Sequence, residues 1–416
     1  MTVKLLEILS DISSSLVQHY GMTTTRRTLD ILPAIPLLLT AQCLGVLGSS
    51  AYTVTVLWWL KTEIGSDSLL ALTGALYALP TLLLGLWAGQ LADRIDRKDI
   101  LTFTPLVSAV VLGVVVLLSG RPTPALVLPL LLGGILLNVA LTFEEPALLA
   151  SFPELTEKHN LERVNALHQM LTSAGSIAGA LMGGMLAAWG VQAGATVALF
   201  TALLGFLLVP LTRWPAPELT AQVSAVQPSF REVWQQTPSQ LRQLLTLICL
   251  FIVLAAPMPN LLPALVHDTL QLGSVALGQL QASFSTGFVV GGLLTLVGLR
   301  PASLRGLGVC ILGAGLVRLG LSASPNLLID MGLLVIGGAS VSVGAIASMT
   351  QLQKEAPAES RGALLGVAST LMAGAGPVGL GLATVLLPVV HTLGVFKLTG
   401  VLLVALGLWS LIWRRD

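Results

Sequence analysis

The stretch Gly89–Leu101, GQLADRIDRKDIL, packs three Asp and three Lys/Arg into thirteen residues. Apolar sequence flanks it on both sides. Over the whole chain only 10% of residues are charged and 54% are hydrophobic, with a mean hydropathy of +0.88. Soluble domains carry about a quarter charged residues, so this balance identifies an integral membrane protein. Gly89–Leu101 is therefore a charge-dense connector between two segments that each cross the membrane.

A helix needs roughly 20 apolar residues to cross the hydrocarbon. Twelve segments of that length run near 33–60, 68–92, 100–120, 124–151, 164–189, 191–212, 241–266, 275–299, 304–322, 325–351, 362–388 and 392–413. Six lie on each side of a polar, Pro-containing stretch. The expected fold is an all-α membrane protein with twelve transmembrane helices in two six-helix bundles. Residues 1–30 form a tail or interfacial helix, 31–212 the first bundle, 213–240 a linker and 241–416 the second bundle.

Loop charge sets the expected orientation, because Lys and Arg in short loops stay cytoplasmic. With both termini inside, seventeen of the 21 Lys/Arg fall on the cytoplasmic side. Lys61, Arg121 and Lys397 are external, and Arg318 lies within a span. A multi-pass protein of the plasma (inner) membrane follows. The N-terminal MTVKLLEILSDISSSLVQHYG lacks the uninterrupted apolar core of a signal peptide, while Leu5, Leu6, Leu9, Ile12 and Leu16 recur at helical spacing. Cys43, Cys249 and Cys310 sit in apolar segments without ligand spacing, so neither a disulfide framework nor a metal site is expected.

Between the second and third spans the connector resembles the signature of the major facilitator superfamily, Gly-x-Leu-Ala-Asp-Arg-x-Gly-Arg-Lys-x-x-Leu. Gly89, Leu91, Ala92, Asp93, Arg94, Arg97, Lys98 and Leu101 match, and Asp96 replaces the second Gly. The fifth span carries GSIAGALMGG, similar to the family's antiporter-type glycine pattern at Gly175, Gly179, Gly183 and Gly184, with Ala180 where that pattern has Pro. FPELTEKHNLERVNAL ahead of it resembles the exporter branch that includes macrolide-efflux and enterobactin-export proteins. The resemblance implies two parallel repeats and a substrate path between them. It also implies a latch: Asp93 braces the start of the eleventh span near Arg361, and Gly89, Arg94, Arg97 and Lys98 complete a contact that breaks when the cytoplasmic side opens. Gly89 would let the second span approach a neighbour closely, and Asp96 leaves the turn to a residue that only tolerates positive φ. Members of this branch often have Gly-Asp in the first span, where this chain reads Gly48-Ser49.

The remaining candidates come from the residues themselves. At 100° per residue, Asn165, His168, Gln169, Thr172, Gly175, Ser176, Gly179 and Gly183 share one arc of the fifth span, opposite Leu167, Met170, Leu181 and Met185. The glycines are expected to pack helices. Asn165, Gln169 and Thr172, with Gln42 and Asn260, are expected in the substrate cavity, and Gly376 is expected to pack the eleventh span. Glu144 and Glu145, followed by Pro146, lie roughly 13 Å deep, counting back from Glu154. A charge at that depth is costly, so these carboxyls pair, face a wet cavity or hold a proton. They are the proton-coupling candidates, with about 100° between their side chains so that one faces the pathway. His168 is the reserve, since imidazole titrates near neutral pH. Arg318 and Asp330 are expected to form a structural salt bridge. Pro257, Pro259 and Pro263 cannot sit in an undisturbed helix and suggest a gate, where Asn260 satisfies a freed carbonyl or touches substrate.

No nucleotide-binding Gly-Lys-Ser/Thr loop and no His-Glu-x-x-His appears, so an ATP-driven pump or membrane enzyme is not expected, and no catalytic residue, metal or cofactor is assigned. The expected function is proton-coupled export of a hydrophobic or amphiphilic, drug-like molecule by a monomer in contact with membrane lipids and not with nucleic acid. A lysophospholipid or siderophore transporter of the same superfamily is the alternative, and a non-transporting receptor or scaffold the remote one.

Overall fold

The computed structural model describes residues 34–92, 95–120, 123–156, 160–212, 214, 234–235, 237–297, 304–323, 326–355 and 361–412. The tail expected over 1–30 and most of the linker expected over 213–240 lie outside the described residues. Every regular element among those described is helical. The first bundle comprises α1 (Ala34–Trp59, extended by a π-turn Leu60–Ile64), α2 (Asp67–Ala92), α3 (Arg97–Leu118), α4 (Thr123–Leu155), α5 (Leu161–Leu186) and α6 (Val191–Leu208). The second comprises α7 (Ser239–Thr269), α8 (Ser274–Leu296), α9 (Leu304–Ala323), α10 (Leu327–Glu355), α11 (361–390) and α12 (392–412).

Two boundaries show how the count of twelve arises. Arg361–Ile412 runs for 52 residues, about 78 Å at 1.5 Å per residue and far more than a bilayer is thick. At His391 the backbone leaves helical space, with φ 54° and ψ 175°, which separates α11 from α12. The other case is α8, which is not apolar enough to stand out as a span because it carries Gln279, Gln281, Ser283, Ser285 and Thr286. It can be polar because these residues are buried or half-buried where α8 packs between α5 and α10.

Packing repeats with a shift of six helices. α1 packs on α5 and α7 on α11; α2 packs on α4 and α8 on α10; α3 packs on α6 and α9 on α12. The two bundles meet through α2 with α11 and α5 with α8, which the same shift interchanges. Small residues make these approaches close, as in membranes generally. Cβ atoms built on Gly175, Gly179 and Gly183 of α5 would lie 2.8, 2.4 and 2.6 Å from the carbonyl oxygens of Cys43, Leu47 and Ala51 on α1. Gly184 meets Ser274 and Gly278 of α8 across the bundle boundary. Two expected packing positions are corrected: nothing lies within 4 Å of a Cβ built on Gly89 or Gly376. At both places the glycine borders open space rather than a neighbouring helix, so its missing side chain brings no helix closer.

The hydrophobic cores show how the bundles sit. At the end carrying Lys61, one continuous core joins Leu57, Leu60, Leu70 and Leu130 of the first bundle to Leu262, Leu265, Leu277, Leu387 and Phe396 of the second. At the end carrying Arg97 there are two cores. One holds Leu38, Leu101, Leu148 and Phe152 of the first bundle alone, and the other Leu244, Ile248, Ile311 and Leu364 of the second alone. Among the described residues, the bundles share one core at the Lys61 end and have separate cores at the Arg97 end.

The prolines break α7 at Ala256, between the helical stretches Ser239–Ala255 and Pro257–Ala264. Pro257 and Pro259 lack the N–H groups that would bond the carbonyls of Val253 and Ala255. Gly379 of α11 fits against the Val253 carbonyl, which a Cβ there would approach to 2.0 Å. The Ala255 carbonyl accepts from Arg318 Nη2 at 2.9 Å, while Nη1 of the same guanidinium donates to Ala314 at 2.9 Å. This corrects the salt bridge expected between Arg318 and Asp330. The proline-freed acceptor lies within reach of Arg318 and draws the guanidinium to α7, and no ion pair joins it to Asp330.

Candidate functional site

Three polar assemblies stand out against the apolar helices. The first lies inside the first bundle, where a narrow cavity of about 80 Å³ runs between α1, α3, α4 and α6. Glu144 lines it together with Gln42, Ser49, Tyr52, Ser108 and Thr201. Glu144 also sits beside Thr104 of α3. The hydroxyl of Tyr52 is buried there without a hydrogen-bond partner. A space of this size with several polar walls can hold a few waters, which such a hydroxyl would bind. Glu145 is exposed, on a different side of α4. The 100° offset between neighbours thus sends only Glu144 into the cavity, though the cavity lies within a bundle and not between the two.

The second assembly ties the bundles together at the Lys61 end. Lys61 Nζ, at the end of α1, donates to Asp67 Oδ1 at 2.6 Å and to Asp268 Oδ2 at 2.5 Å. Asp67 opens α2 and Asp268 closes α7, so the ammonium bridges the two bundles. Thr392, at the start of α12, donates to Asp67 Oδ2 at 2.5 Å. His267 Nδ1 lies 2.8 Å from the other oxygen of Asp268, and its ring stands edge-on to Trp58 with centroids 6.0 Å apart. The Lys61 side chain is only 6% exposed and Asp67 19%, while Asp268 is 48% exposed, so the ammonium is withdrawn from water and its α7 partner stays wetted. Just below it, Asn260 of α7 fills the space left by Gly74 of α2, where a Cβ would approach its side-chain oxygen to 2.6 Å. Sequence reasoning missed this clasp. Its signal was Lys61 itself, one of three basic residues on the side otherwise stripped of them.

The third assembly is the Gly89–Leu101 connector. Asp96 has φ −55° and caps α3, its carboxylate accepting from the backbone N–H of Lys98 at 2.9 Å. The Asp in place of the signature's Gly therefore needs no left-handed turn and instead supplies a helix cap. Arg97 pairs with Glu154 at the end of α4 and donates to the Ala150 carbonyl at 2.9 Å. Lys98 donates to the carbonyls of Pro210 and Thr212 at 3.3 and 2.8 Å, capping the end of α6. Cations at helix C-termini are stabilising, since the last carbonyls are otherwise unsatisfied. Both residues tie elements of the first bundle together through these contacts. Asp93, Arg94 and the side chain of Arg361 lie outside the described residues.

The other expected site residues are not gathered into one cavity. His168 is buried edge-on to Phe152, with ring centroids 5.6 Å apart, and is away from Glu144's cavity. Asn165 and Gln169 are exposed on α5, roughly 20–30 Å along the helix from the Gly184 contact with α8. Thr172 bonds its own helix at His168 and Gln169. Among the described residues, no cluster of His, Cys, Asp and Glu could hold a metal.

Comparisons with known proteins agree with this architecture. A family model described as Major Facilitator Superfamily matches residues 38–380. Macrolide efflux protein A of Streptococcus pyogenes is 24% identical over 382 residues, covering 88% of this chain and 92% of that one. Enterobactin exporter EntS of Escherichia coli O1:K1 / APEC is 26% identical over 289 residues, 67% of each chain. Among solved structures, nucleoside transporter NupG superposes with a TM-score of 0.71 at 12% identity, covering 92% of this chain and 100% of the other. A bacterial homologue of the iron transporter ferroportin in the inward-facing state superposes with a TM-score of 0.69 at 15% identity, covering 92% and 99%.

Proposed function

Because the chain belongs to the Major Facilitator Superfamily, we propose that it is a secondary active exporter that moves a hydrophobic or amphiphilic small molecule out of the cell by alternating access, in exchange for protons. The observation that carries the reading is the division of the core, fused at the Lys61 end and double at the Arg97 end. Separate cores among the described residues at one end support a state open between the bundles on that side. Loop charge puts the Arg97 end in the cytoplasm, so this arrangement is the one that loads substrate from inside. Resetting requires the Lys61 clasp to part and the bundles to meet at the other end. Proton carriage is assigned to Glu144, because its carboxyl lines an internal polar cavity and that of Glu145 does not. The direction of transport and the drug-like substrate class follow the naming of the macrolide efflux relatives. Similarity to an enterobactin exporter favours a second reading, siderophore export.

The test is accumulation by inside-out vesicles, energised with a proton gradient and offered macrolides, other amphiphilic drugs and catecholate siderophores in parallel. Uptake of the drugs that collapses with a protonophore supports the first reading, and uptake of siderophores alone supports the second. Accumulation of neither by protein shown to be folded and inserted would end the export reading.

The clasp gives a separate prediction. Lys61→Met leaves Asp67 and Asp268 facing one another without their shared cation, which costs about 1.5–3 kcal/mol for a charged hydrogen bond. The Lys61 end should then open roughly tenfold more often, or beyond. With Cys43, Cys249 and Cys310 replaced by Ala, a cysteine introduced as Asn260→Cys should react correspondingly faster with a water-soluble maleimide when Lys61 is Met. Unchanged labelling would mean that the clasp does not set the balance between states.

A further inference from the structure

A groove of about 390 Å³ lies on the second bundle at the Arg97 end, between the beginning of α7 and the end of α12. Trp234, Arg242, Gln243, Leu250 and Trp409 form its walls and Leu247 its base. Arg242 is half-buried, and among the described residues its guanidinium makes no ion pair. Among the described residues, no carboxylate lines the groove. The hydroxyls of Thr246 and Ser410 are already used, donating at 2.9 and 2.7 Å to the carbonyls of Arg242 and Gly407 in their own helices. Arg242, the Gln243 amide and the Ser239 hydroxyl are thus donors offered to a visitor.

The rest of the groove is apolar and open to the bilayer. Leu250 is 45% exposed and lies about 12 Å deeper than Arg242 along α7. Trp409 is 49% exposed, and Leu402, Leu408 and Ile412 on the same helix are exposed with it, which makes α12 a lipid-facing helix. At the membrane boundary the groove presents a cation, an amide and, at a similar depth, an indole, with leucine about two turns deeper. A phospholipid likewise presents its phosphate and glycerol esters at the boundary and its acyl chains deeper.

We propose that this groove is a binding site for one anionic phospholipid, with Arg242 holding the headgroup phosphate and Trp409 and Leu250 holding the upper part of an acyl chain. Anionic character is set by the half-buried guanidinium of Arg242, which the described carboxylates leave unneutralised. The site lies away from the contacts of α2 with α11 and α5 with α8, so it acts on the second bundle from outside the transport path.

Bromine-labelled acyl chains quench tryptophan on contact, which gives a direct test that involves no transport assay. The full chain is reconstituted in phosphatidylcholine bilayers containing the same minor fraction of either brominated phosphatidylglycerol or brominated phosphatidylcholine. The fluorescence component removed by Trp409→Phe should be quenched several-fold more by the anionic lipid. Arg242→Gln should make the two lipids equal, and Arg242→Lys should keep most of the preference. Equal quenching in the unmodified protein overturns the proposal, as does a preference that survives Arg242→Gln. Absence of quenching would mean that the chain itself covers the groove, and loss of the preference on adding inorganic phosphate would mean a soluble-anion site. Either result also overturns it.

Discussion

Glu144→Gln is expected to lower uphill transport driven by a pH gradient at least tenfold, about 1.4 kcal/mol or more, while leaving substrate exchange down its own gradient intact. Gln keeps the size of the protonated acid and its place in the cavity beside Thr104, Gln42 and Tyr52, but has no proton to give up. Glu145→Gln should change the same measurement far less, because Glu145 is exposed and points away from the cavity. The assay is concentration of substrate into proteoliposomes carrying only a proton gradient, alongside counterflow exchange without one. If the double variant Glu144→Gln, Glu145→Gln still concentrates substrate, coupling resides elsewhere, and His168 becomes the next residue to replace.

Gly179→Leu should abolish transport and sharply reduce the yield of folded protein. Its Cβ alone would stand 2.4 Å from the Leu47 carbonyl oxygen and 2.8 Å from Ser50 Cβ. The first is backbone, so relief requires α5 to leave α1 over the whole seam of Gly175, Gly179 and Gly183. Overpacking in a tight interior costs typically 1–3 kcal/mol, and a contact with backbone lies at or above the top of that range. Gly376→Leu is the control, because its Cβ meets open space and should leave the yield of monodisperse protein unchanged. Equal yields from the two variants would show that the seam tolerates separation.

Much of the fold was legible because membrane insertion writes strong signals. Length and hydropathy placed the spans, and the helical angle of Gly175, Gly179 and Gly183 placed the α5 seam on the correct side, opposite exposed Leu167, Met170, Leu181 and Met185. The offset of Glu144 from Glu145 was legible for the same reason, since helix geometry is local. Partners across the bundles were not. Lys61, Asp67 and Asp268 are separated by up to 207 positions, and nothing in their local sequence says that the ends of α1, α2 and α7 converge. Arg318 was misassigned because the sequence shows its charge but not the carbonyl that Pro259 frees 63 positions away from it. Gly89 and Gly376 were misassigned because small residues mark close approach only where a neighbour is present.

The bond from Arg318 to Ala255 bears on how the second bundle moves. A helix broken by proline ordinarily swings freely about the break, but here the carbonyl at the fulcrum is held by α9. A turn at Ala256 is therefore expected to strain this bond and draw α9 along with it. Since α9 is packed against α12 along Gly308, Gly315, Gly400 and Gly407, torque applied at the Lys61 end is delivered to the far side of the bundle. The expectation for this half of the molecule is a geared body, with Arg318 as the tooth that keeps α7 in mesh with α9.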